Sequence, residues 1–154
     1  MLIENIRKID NGLIEGSTYF PLFNIQIPIM SFEEEYLQYA NECVSLLHNL
    51  SKDIVSSLCN SSIKFCNEVL AHYGEDVKTF SDKTDILKLI QPCCLIIPCE
   101  DIKIPVIHLE LNCEWEEEHG MEWIVRENKV QYVSMFSGEN PFRDFSIKED
   151  WNFA

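Results

Sequence analysis

The stretch that decides the fold runs from Val106 to Val133 and reads VIHLELNCEWEEEHGMEWIVRENKVQYV. From Ile107 onward the residue types alternate. Ile107, Leu109, Leu111, Cys113 and Trp115 fall on one side, and His108, Glu110, Asn112 and Glu114 on the other. A period of two is the pattern of a strand, because successive side chains leave opposite faces of a sheet. An antiparallel sheet with one covered and one wet face gives this alternation. Glu116 to Gly120 reads as the turn and Met121 to Arg126 as the returning strand. Asn128 suits the positive φ of a tight hairpin, and Val130 to Phe136 completes a meander.

Working back from this unit, Phe23, Ile25, Ile27 and Ile29 alternate with Asn24, Gln26 and Pro28, which predicts a strand with one buried face. Pro28 places it at an edge or near a strand end. Between the two strand regions the period changes. Ser31 and Glu34 have the spacing of a capping box, with Glu33, Glu34 and Glu35 in the first turn of a helix reaching about Leu50. Tyr36, Ala40, Cys43, Leu47 and Leu50 form its apolar stripe. Ser51 caps a second helix that Gly74 ends, with Asn60, Ser61 and Ser62 marking a kink or break in its middle. Glu75 to Asp85 is a polar loop. A short helix capped by Thr84 or Asp85 follows until Pro92 stops it, and Cys93 to Pro98 is a strand. After Ser137 the chain is a loop with a docked aromatic tail anchored by Phe142, Phe145, Trp151 and Phe153. The order of strands, helices and strands predicts one α+β domain over residues 1–154. Its sheet joins the N-terminal strands to the C-terminal meander, with two main helices packed on one face.

Composition excludes several function classes. The 154 residues carry 12 Lys+Arg against 26 Asp+Glu, a formal net charge of −14. Phosphate binding is driven by Lys and Arg, so a non-specific nucleic-acid partner is not expected. An anionic membrane surface is disfavoured for the same reason. The N-terminus has no apolar stretch behind basic residues, and no run approaches the length of a membrane span, so a cytoplasmic location is expected. Seven cysteines are present, but no C-x-x-C pair occurs. They read as reduced thiols replacing small hydrophobes, with Cys43 and Cys66 on helix faces and Cys113 in the strand. His48 and His72, on the two main helices, read as surface or satisfied histidines. No P-loop, H-E-x-x-H or G-x-S-x-G motif occurs, so no catalytic residue and no cofactor is assigned.

Charge is concentrated in the deciding stretch. Residues 110–127 hold seven acids and one base, centred on Glu114, Glu116, Glu117 and Glu118 beside His119. Four readings compete. A solvated turn would keep a sheet edge soluble. A contact surface would set Glu114, Glu116, Glu117, Glu118 and His119 around Trp115 and Trp123 as interface anchors, against the rival reading that both tryptophans are core. An acid/base site would bring His108, Glu110, Glu118 and His119 into one cleft. A metal site is disfavoured, because neighbouring glutamates on an extended chain point in opposite directions and the alternating ligands of an EF-hand are missing.

Val106 to Val133 also resembles a bacterial family of small α+β domains of unknown function. Its elements are a strand ending in Cys/Asp-x-Trp, an acidic turn closing in Glu-His-Gly, and a hairpin. Here these are Cys113, Trp115, Glu118, His119, Gly120 and the hairpin at Asn128. Ser134 departs from the glycine expected at the end of the last strand. The resemblance supplies no catalytic residues. Such small acidic domains often resemble immunity-type proteins, which implies a non-enzymatic module neutralising a basic toxin. The alternative expectation is a small hydrolase or metal-dependent enzyme built on His108, Glu110, Glu118 and His119.

Overall fold

A computed structural model describes residues 1–154. Seven strands form one sheet in chain order: β1 Glu4–Lys8, β2 Leu13–Phe20, β3 Ile25–Glu33, β4 Ile90–Leu95, β5 Ile107–Cys113, β6 Glu116–Arg126 and β7 Lys129–Met135. Every junction is antiparallel except β3–β4, a parallel contact at Ile29 and Leu95. Parallel neighbours need a long crossover, and this one holds helices α1 (Leu37–His48) and α2 (Lys52–His72). The fold is α+β with a mostly antiparallel sheet.

The local departures from the sequence reading have physical causes. Ser31 does not open a helix, because Ser31, Phe32 and Glu33 finish β3, where Phe32 pairs with Ile14 and is buried. A short 3₁₀ turn, Glu34–Tyr36, precedes α1, and no side chain caps that helix. Burial of an aromatic ring in the sheet outweighs a solvent-exposed capping box. Pro28 sits within β3 opposite Ser17, in a strand whose other edge touches β4 at a single position. Pro92 likewise lies inside β4, which starts at Ile90, and a bulge follows it. A 3₁₀ helix over Lys83–Leu89 comes before, capped by Asp82 rather than Thr84 or Asp85.

Helix α2 begins as expected, with the Ser51 hydroxyl accepting the Ile54 N–H at 3.2 Å. It ends in a Schellman motif. Glu75 N–H donates to the Leu70 carbonyl at 2.8 Å and Gly74 N–H to that of Ala71 at 3.1 Å, with Gly74 at φ +70°. No kink interrupts the middle. Ser61 and Ser62 are buried, and the Ser62 hydroxyl accepts the Trp123 indole N–H at 3.1 Å. A polar residue inside a helix is stable when a buried donor needs it.

Both helices feed one large core. Ala40, Cys43 and Leu47 of α1 and Leu58, Phe65 and Cys66 of α2 join Leu109, Leu111, Trp123 and Val133 of the sheet. The opposite face is wet only in part: Asn112 and Glu114 are exposed and Glu110 is half-buried, but His108 is buried. Ile124 and Tyr132 are buried there with Phe145 of the tail. Arg126 donates to the carbonyls of Pro141 and Arg143, and Arg143 stacks over Phe145 at 4.1 Å while pairing with Glu139 and Glu149. The tail then runs along β7, where Phe153 N–H donates to the Val133 carbonyl and Asn152 bonds Val133 and Gln131. This covers an edge strand that would otherwise be open. Of the four expected anchors, Phe145 and Phe153 are packed, Phe142 is half-buried and Trp151 is exposed.

Candidate functional site

The acidic segment is built by the β5–β6 junction. Cys113 pairs with Glu116, so the turn is Glu114–Trp115, and Glu116 to Gly120 belong to β6. The next pair up is Leu111 with Met121, which leaves Glu117 to Gly120 bulging opposite Asn112. Gly120 lies at φ +73°, and a Cβ there would stand 2.5 Å from the Leu111 carbonyl oxygen. Only glycine fits. His119 closes the bulge, its backbone N–H donating to Glu116 Oε1 at 3.2 Å and its Nδ1 lying 3.2 Å from the same oxygen. His119 and Gly120 of the Glu-His-Gly segment thus hold backbone geometry together with Glu116, while Glu118 makes no side-chain bond. Glu114, Glu117 and Glu118 are exposed and form no ion pair. A shallow cavity of about 470 Å³ runs beside them, lined by Lys88, Gln91, Asn112, Glu114 and Glu117 among others.

Trp115 and Trp123 are not surface anchors. Trp123 is fully buried, and Trp115 packs edge-on against Phe65 with ring centroids 6.0 Å apart. The rival core reading is the correct one for both. Of the candidate contact residues, the exposed ones are Glu114, Glu117, Glu118 and His119, and the indoles are not among them.

The four residues of the acid/base alternative separate. His108 is buried on the tail-covered side, where its Nε2 lies 2.5 Å from Oε2 of Glu122, a residue fully enclosed by protein. Glu122 also accepts the N–H groups of Ser137 at 3.1 Å and Glu139 at 2.9 Å. Glu110 stands opposite Glu122 in the ladder and accepts the Cys94 thiol at 3.8 Å. Glu118 is in solvent and His119 pairs with Glu116. Glu122 is not among the residues that sequence patterning marks. Its signal was a lone acid inside the apolar run from Met121 to Val125, but the partner, His108, follows only from register. The Glu122 carboxylate is occupied by three donors that tie the tail to the sheet, and His108 Nδ1 is enclosed without a partner. The pair acts as a staple.

No group of three or more His, Cys, Asp or Glu side chains is placed to hold a metal ion. Desolvation pushes the Cys113 thiol up to about 12 and those of Cys59 and Cys94 up to about 11. A nucleophilic cysteine needs the opposite shift. His48 is satisfied by the Thr18 hydroxyl at 2.9 Å, while His72 is exposed against Tyr73. No helix is long and apolar enough to cross a membrane.

Sheet order, covered edge and bulged acidic hairpin define a small α+β domain. The chain belongs to the family described as Domain of unknown function (DUF6985), whose model matches residues 5–141. The match takes in the bulge and the Glu122 staple and stops before Phe145, Trp151 and Phe153. No curated protein and no solved structure matches the chain.

Proposed function

We propose that this domain is a non-enzymatic protein-binding module that receives a basic protein on the β5–β6 hairpin, as a bacterial cytoplasmic immunity protein receives a basic toxin. The observation that carries the reading is the set of exposed, unpaired carboxylates of Glu114, Glu117 and Glu118. They sit on the turn and bulge of this hairpin in a chain of net charge −14. A carboxylate field with no cation paired to it steers a basic partner into encounter and orients it, with strong salt dependence. The reading takes α1 and α2 to cover one face of the sheet, supported by their common core, so that the hairpin end stays open to a partner. His108 is taken up by Glu122, which holds the start of the tail, while Glu118 lies in solvent and His119 pairs with Glu116, so the hydrolase alternative has no common cleft in its favour.

The test is affinity capture from the native host by wild type and by a Glu114→Gln/Glu117→Gln/Glu118→Gln variant, at low and high salt. Expected is a basic protein retained at low salt by wild type and lost from the variant. Recovery of no basic protein by wild type under either condition overturns the reading.

A further inference from the structure

A groove of about 530 Å³ lies between α2, β7 and the end of the tail. Phe65 and Phe153 form its floor, stacked with centroids 5.3 Å apart. Its rim carries Tyr73, Met135 and Trp151, which are 70%, 40% and 56% exposed. Scattered exposed hydrophobics are ordinary, but three converging on one concavity mark a binding surface. Glu68, Glu116 and His72 also line it, the His72 ring edge-on to Tyr73, and no Lys or Arg does. Glu116 starts β6 directly before the acidic bulge, so the groove adjoins the proposed hairpin surface.

Aromatic faces beside carboxylates select one chemistry. A planar, weakly hydrated guanidinium stacks on an indole or phenol and donates to carboxylate oxygens, whereas an anion is repelled by both. We infer that this groove receives an arginine side chain of the basic partner, with Trp151 and Tyr73 as its aromatic walls and Glu68 as its counter-charge. This rests on the reading of a basic protein partner and names one of its contacts.

The probe is the peptide acetyl-Gly-Gly-Arg-Gly-Gly-amide, titrated into the ¹⁵N-labelled full chain, with the citrulline analogue as control. The indole N–H of Trp151 reports on the groove, since Trp115 and Trp123 are buried. Expected are saturable shifts of the Trp151 indole with the arginine peptide alone. The affinity should fall about fivefold in Trp151→Ala and measurably in Glu68→Gln, with the urea midpoints of both variants unchanged. Equal binding of the citrulline peptide, or no Trp151 shift at saturating peptide, overturns the inference. So does a concentration-dependent dimer abolished by Trp151→Ala, which would put a second copy in the groove. The hairpin carboxylates Glu114, Glu117 and Glu118 are untouched in these variants, so failure here leaves capture by the hairpin standing. Failure of that capture leaves the peptide titration to decide the groove.

Discussion

Gly120 holds the acidic bulge by being able to occupy φ +73° with its α-carbon against the Leu111 carbonyl. Gly120→Ala adds a methyl group where the oxygen already stands, and it should cost about 2–3 kcal/mol by urea denaturation. Glu122 illustrates the same dependence in polar form. Glu122→Ala strands His108 and the N–H groups of Ser137 and Glu139, and a loss of about 3–5 kcal/mol is expected. Amide exchange should quicken first in residues 137–143, because the staple holds them. Ser62→Ala is the milder case. It leaves the Trp123 indole N–H buried and unpaired, for about 1–2 kcal/mol. Unchanged denaturation in Ser62→Ala would mean that the indole finds another acceptor.

At the scale of elements, the legibility of the sequence follows how local the deciding interaction is. The β5 alternation, the Ser51 cap, the Gly74 terminus and the two-residue turn Glu127–Asn128, both at positive φ, are local and were readable. Ser31 and Pro92 misled, because their fates depend on strand partners far along the chain, Leu13–Phe20 and Ile107–Cys113. The turn at Glu114–Trp115 was displaced by the bulge, whose count of residues only the Cys113–Glu116 pairing reveals. The Glu122–His108 staple needs both register and tail, and neither is visible in one strand. The 3₁₀ helix before β4 offers a pH test. The Thr84 hydroxyl and N–H both donate to Asp82 Oδ1, at 2.7 and 3.0 Å, and hold its carboxyl below its ordinary value of 3.8. A carboxyl lowered in the folded state stabilises above its unfolded pKa and loses that contribution as pH falls through the folded one. The thermal-midpoint gap between wild type and Asp82→Ala should therefore narrow on acidification. A gap constant down to strong acid would show that the bonds do not depend on the charged form.

On the whole molecule, charge and topology separate two jobs. The tail spends its polar and aromatic residues closing the sheet. Arg126 and Arg143 are committed there, two of the chain's 12 cations. The hairpin end is left with three carboxylates and no cation paired to them. On the sequence alone, a net charge of −14 disfavours nucleic acid and anionic membranes as partners. Its densest part is shaped by Glu116, His119 and Gly120 and carries the exposed carboxylates of Glu114, Glu117 and Glu118. The most direct test of this account is the association rate of the captured basic protein with wild type and with Glu114→Gln/Glu117→Gln/Glu118→Gln, measured at low and physiological ionic strength. The account expects the variant to associate about tenfold more slowly at low salt, with a flattened salt dependence. Equal rates and equal salt dependence for the two proteins would contradict it.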